Sequence, residues 1–151
     1  MSRAGVETKD AAAALDAQVP HTCQYFTVDD LNFLKKTGRV SGITAKIATV
    51  LDIKPILFGA EDGKIISCSK VRGRKQSIAA LAKKYGEKRI HSGEQQVFIS
   101  HGDCLQDAQT LSALVREITP DIPITICQHE PVSGSHVGPG MLGLFFRGTE
   151  R

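Results

Sequence analysis

The sequence predicts an α/β (α+β) domain: a mixed six-stranded sheet with helices packed on it, in two layers. Three observations carry that prediction. Six short runs rich in β-branched or aromatic residues alternate with stretches of helical period. Their order, β-α-α-β-β-α-β-α-β-β, lets strand follow strand directly in two places, which excludes a purely parallel, doubly wound sheet. And 151 residues, 41% hydrophobic and 23% charged, suit one ordinary globular core.

The elements follow in order. Residues 6–18 are alanine-rich and read as a short helix that ends before Pro20. Residues 21–28, HTCQYFTV, mix aromatic and β-branched side chains and read as the first strand. A helix follows, with Thr27 and Asp30 in capping-box-like spacing, Leu31 and Leu34 on one face, Lys35 and Lys36 in the last turn and Gly38 as its C-terminal stop. A second helix fits 43–51, and Pro55 prevents its continuation. Residues 56–59 and 64–71 flank Glu61-Asp62-Gly63, a hairpin turn signal. Ile78, Leu81, Ala82 and Tyr85 then define a helical face. Residues 96–100 read as a strand, and Asp103 is placed to cap a helix with Ala108, Leu111, Val115 and Ile118 facing inward. Strands at 122–127 and 142–146 complete the set, the two forming a late hairpin if 128–141 is a long loop.

No repeat or low-complexity linker divides the chain, so one domain is expected over 1–151. The first helix has no strand before it, as though a preceding segment were missing. The N-terminus carries acids and lacks an apolar run, unlike a secretory signal, and no stretch is long and apolar enough to span a membrane, so a cytoplasmic location is expected. Cys23, Cys68, Cys104 and Cys127 show neither paired nor zinc spacing, and Cys68 and Cys127 lie in apolar runs that predict buried free thiols. The net charge of +3 is uneven: residues 70–89 hold eight basic side chains against Glu87, a local +7 that leaves −4 elsewhere. Such a patch fits an acidic partner or a solvated helix face.

Several clusters can carry chemistry. In 131–143, PVSGSHVGPGMLG, glycines and two prolines surround His136. Glycine allows close approach to the backbone, and successive N–H groups can cradle a carboxylate or phosphate; a turn-rich loop accounts for the pattern equally well. Ser133 and Ser135 stand too near His136 in sequence to be its nucleophile partners, and no G-x-S-x-G elbow occurs. His101-Gly102-Asp103 reads as a strand end and helix cap. Arg39, just past Gly38, either neutralises helix carbonyls or offers its fork to a carboxylate. Arg72, Arg74 and Lys75 fall at a strand–helix junction without the spacing of a phosphate-binding loop, and the aromatic signatures of RNA binding are absent.

Four ordered blocks resemble the C-terminal half of the DegV family, the fatty-acid-binding subunits of bacterial fatty acid kinase: 28–42 (VDDLNFLKKTGRVSG), 53–57 (IKPIL), 62–75 (DGKI, then KVRGRK) and 131–146 (PVSGSHVGPGMLGLFF). The resemblance runs from about residue 8 to the end. It implies a long-chain fatty acid held between two domains, its carboxylate presented to a separate ATP-using kinase subunit that makes acyl phosphate for phospholipid synthesis. Arg39 and His136 match the family's head-group ligands, with Ser135, Gly138 and Gly140 in the adjoining loop, and Arg72 and Arg74 match residues that dock the kinase subunit. The family's N-terminal parallel α/β domain, which supplies a threonine and a serine to the same carboxylate, has no counterpart in this chain. The expectation is therefore a carrier half-domain that is not an enzyme, needs no cofactor or metal, binds no nucleic acid and self-associates through the surface its missing partner would cover. The alternative is a regulatory or nucleic-acid-binding module using 70–89.

Overall fold

The computed structural model describes residues 5–38, 52–91 and 95–149. Six strands form one sheet: β1 (Thr22–Thr27), β2 (Ile53–Gly59), β3 (Ile65–Arg72), β4 (Val97–His101), β5 (Ile124–Gln128) and β6 (Leu142–Arg147). Their order is β3-β2-β1-β6-β4-β5. Every neighbouring pair is antiparallel except β4 with β5, so the sheet is mixed, as expected. Among the described residues five α-helices accompany it: α1 (Thr8–Asp16), α2 (Leu31–Lys36), α3 (Arg74–Lys88), α4 (Leu105–Ile118) and α5 (Pro131–Val137). The helix expected at 43–51 and the head-group candidate Arg39 lie outside the described residues.

One face of the sheet is covered by α3 and α4. Ile78, Leu81, Ala82 and Tyr85 are all buried, at the helical spacing that the sequence carries. They meet Ala108, Leu111 and Val115 of α4 and the inward residues of the strands: Cys23, Tyr25, Ile56, Val97, Ile99, Leu142, Leu144 and Phe146. The period of two along each strand sorts side chains between the faces, so this core takes Leu142, Leu144 and Phe146 and leaves Phe145 on the other side. Tyr85 meets Phe146 edge-on, ring centroids 5.2 Å apart, and its hydroxyl donates to Thr119 Oγ1 at 3.0 Å. Burial raises the Tyr25 phenol above its ordinary pKa.

Several expectations need correction. The stretch 128–141 is not a long loop, because Pro131 starts a helix whose first N–H groups, of Val132 and Ser133, are capped by the Glu130 carboxylate at 2.7 and 2.6 Å. Nor do β5 and β6 form a hairpin, since β4 lies between them and pairs with both. Asp30, not Thr27, caps α2, accepting from the Asn32 N–H at 2.8 Å, while Thr27 ends β1 with its hydroxyl buried. Asp103 adopts a positive φ of 55° and turns the chain, so that Cys104 takes the N-cap position of α4. Ile118, expected to face inward, is 36% exposed at the last turn of that helix. Cys68 and Cys127 are exposed: Cys68 is the extra residue of a bulge in edge strand β3, and Cys127 lies on the opposite edge strand. Cys23 is the buried thiol.

Candidate ligand-binding face

The second face of the sheet is only partly covered. At one end α2 and α5 close it, around Val28, Leu34, Leu57, Val137 and Met141, with Phe26, Leu31 and Ile65 against them. The two helices interlock through glycine. Gly138 stops α5 at φ 76°, and a Cβ built there would come within 2.5 Å of the Phe33 ring. A Cβ built on Gly140, at φ 78°, would come equally close to Asp29 Cβ. Its N–H donates to the Gly102 carbonyl at 2.7 Å, and the Gly102 N–H donates to the Met141 carbonyl at 2.8 Å, which ties this turn to the end of β4. Asp29 is held in turn by the buried Lys54 ammonium at 2.6 Å, with Asp52 at 3.6 Å.

Beyond this closure the face is bare. A cleft of about 260 Å³ opens beside α5. Phe26, Ile65, Phe145, Val137 and Met141 give it apolar walls, and Gln24, His129 and Ser133 its polar ones. A second depression of about 350 Å³, reaching Phe98 and Arg147, borders the other side of Phe145. Phe98 is 42% exposed in the middle of strand β4, an unusual place for an aromatic ring to meet water.

The site residues distribute as follows. His136 lies in the last turn of α5, half-buried, with Nδ1 sequestered and without a partner among the described residues. Ser135, on the exposed side of that helix, donates to the Val132 carbonyl at 2.7 Å. At Gly138 and Gly140 the close neighbours are Phe33 and Asp29 of this chain. Arg72 is exposed at the end of β3. Arg74 opens α3, and its Nε donates to Asp107 at 2.8 Å, which braces the start of α3 against that of α4. Its Nη2 lies 3.5 Å from Cys104 Sγ, yet burial raises the Cys104 thiol above its ordinary pKa, opposite to what an activated nucleophile needs.

Sequence reasoning missed a polar relay. His129 places Nδ1 at 2.8 Å from Ser100 Oγ and Nε2 at 2.7 Å from Ser133 Oγ. Ser133 was weighed only against His136, three residues on. The signal available was His129 itself, four residues before Ser133, the interval that a helix start brings to one side. The relay does not form a nucleophile site, because the N–H groups at the start of α5 that could stabilise an oxyanion are already taken by Glu130. Among the described residues no group of three His, Cys, Asp or Glu side chains could hold a metal, and no helix is long and apolar enough to cross a membrane.

A mixed six-stranded sheet with one helix-covered face and one bare face beside a cleft places the chain in a class of α/β proteins solved from several bacteria. A fatty acid binding DegV family protein from Streptococcus agalactiae matches it with a TM-score of 0.84 at 29% identity, over 99% of this chain and 52% of that one. A Thermotoga maritima protein whose structure is described as revealing a fatty acid binding function matches with 0.81 at 27% identity, over 98% and 51%. A DegV domain-containing protein of Clostridium perfringens is 41% identical over 129 residues, 85% of this chain and 44% of that protein. The chain belongs to the DegV family, described as uncharacterised proteins, whose sequence profile matches residues 1–149. It spans about half the length of the relatives it matches.

Proposed function

We propose that this chain is a fatty-acid-binding domain and not an enzyme. Its bare sheet face carries the acyl chain, and Arg39 and His136 hold the carboxylate for a separate ATP-using kinase subunit that forms acyl phosphate for phospholipid synthesis. The observation that carries the reading is the apolar cleft beside α5, continued past Phe145 towards the exposed Phe98. Covering such a surface with an acyl chain gains about 25 cal/mol for each Å² removed from water. The fatty acid binding named for the Streptococcus and Thermotoga relatives supports it. His136, half-buried on α5, brings an imidazole, a group that can donate an N–H to a carboxylate. Arg39 directly follows Gly38, which closes α2, and α2 packs on the helix that bears His136.

Arg72 is the exposed cation offered to the kinase subunit. Arg74, turned towards Asp107, shapes that junction from beneath. Nucleic acid is a poorer occupant for residues 70–89, since Arg74, Lys83 and Lys84 are already paired with Asp107 and Glu87.

Native mass spectrometry of the purified chain tests the reading, with a retained acyl chain as the expected result. In titrations with oleate, Arg39→Ala should weaken binding by roughly one to two powers of ten, and His136→Ala by less, because a neutral imidazole offers a single donor. A chain that neither retains nor binds fatty acid removes the proposal.

A further inference from the structure

The relay Ser100–His129–Ser133 stands on an otherwise apolar ligand wall, and it does nothing for the head-group chemistry just described. Deepening the fatty-acid reading, on which this rests, we propose that the cleft selects an acyl chain bearing a hydroxyl group, with Ser133 and Gln24 as its specificity-determining contacts.

Hydrogen-bond capacity decides which ligand the relay fits. A serine hydroxyl has one proton and two lone pairs, and a neutral imidazole has one N–H and one acceptor nitrogen. His129 meets Ser100 Oγ at Nδ1 and Ser133 Oγ at Nε2, and Ser133 Oγ accepts from the ring in one tautomer and donates to it in the other. In both cases Ser133 keeps a lone pair for a donor from the ligand. Gln24, on the adjoining wall, has no side-chain partner among the described residues, so its amide can donate to the same ligand oxygen. A hydroxyl is the small neutral group that donates once and accepts once. A methylene there would face the Gln24 amide and the open Ser133 lone pair, among Phe26, Ile65 and Phe145, without a hydrogen bond for either. A ketone could accept from Gln24 and has no proton for Ser133.

All of these residues come from this chain, so the purified chain suffices for the test. Stearate, a set of monohydroxystearates differing in hydroxyl position, and 12-oxostearate are titrated in turn. The best hydroxystearate should bind about tenfold more tightly than stearate, as two neutral hydrogen bonds warrant, and more tightly than the ketone. Ser133→Ala and Gln24→Leu should each reduce that preference, read as the ratio of hydroxystearate to stearate affinity in the same variant, several-fold. His129→Gln, checked for folding by circular dichroism, should also lower it, because Ser133 then loses the ring that orients it. Equal binding of stearate and every hydroxystearate overturns this proposal and leaves fatty-acid binding standing. A hydroxyl preference that survives both Ser133→Ala and Gln24→Leu overturns it as well. Binding of none of the probes overturns the fatty-acid reading along with it.

Discussion

The two faces of the sheet are built from the same alternating strands and have opposite fates. On the helix-covered face Leu81, Ile99, Leu111, Leu142 and Leu144 are wholly buried. On the other face Phe26 and Phe145 are half-buried and Phe98 meets solvent. Alternation assigns a residue to a face and leaves open what that face will meet. The first face is filled by α3 and α4 of the same chain, and the second is covered only at the end where α2 and α5 lie. Stability should therefore reside on one side and binding on the other.

Four substitutions sharpen or break that division. Leu111→Ala should cost about 3 kcal/mol in denaturant unfolding, the usual cost of a cavity at a closed site; a loss under about 1 kcal/mol would show the covered face to be loosely packed. Gly138→Ala should cost about 2–3 kcal/mol, because a side chain at φ 76° would drive into Phe33 and part α2 from α5. That effect belongs to the capped end of the open face, and the loss should appear in urea midpoints and in weakened ligand binding together. Arg74→Ala should lower stability by about 1 kcal/mol, since its pairing with Asp107 is less than a third exposed and braces two helix starts. Phe145→Ser should change stability least, by about 1 kcal/mol or less, while removing most of the affinity for acyl chains. If its melting falls as far as that of Leu111→Ala, the two faces are not divided as argued.

Acid acts on the same boundary. Glu130 holds its proton less tightly than an ordinary carboxyl of pKa 4.5, through the Ser133 hydroxyl first and then the N–H groups of Ser133 and Val132. The unfolded chain therefore takes up that proton first, and the cap on α5 is present above about pH 4.5 and lost as pH falls through the lower folded value. Chemical shifts of Val132 and Ser133 amides should report the loss, and Glu130→Gln should make them insensitive over that range.

The covered face was legible in the sequence because its signals are periodic: the faces of α3 and α4 stand at helical spacing, with only the terminal Ile118 failing to bury. The mixed character of the sheet was legible from Glu61-Asp62-Gly63, where Gly63 adopts φ 78° between β2 and β3. The open face was less so. A proline and several glycines in 131–143 read as a loop, because the cap that makes α5 comes from Glu130, a residue type ordinarily expected inside a first turn and not before it. The two cysteines were misplaced for a different reason: an apolar run predicts burial in a central strand, and both lie on edges. The relay of His129 with Ser100 and Ser133 joins residues from β4 and the start of α5, a proximity that only the sheet order creates.

That order also governs how the protein is made. β6 is the last of the six strands in the chain and stands in the middle of the sheet, between β1 and β4. As the chain is made, β1 to β3 emerge as one sheet fragment and β4 to β5 as another, and the strand pairing that joins them waits for residues 142–147. Until then Tyr25 and Ile99 lack the strand that later lies between them, and the partial chain offers two unpaired inner edges of the kind chaperones guard. Closing the sheet by its final strand demands contacts between distant parts of the chain, which makes the step slow and all-or-none.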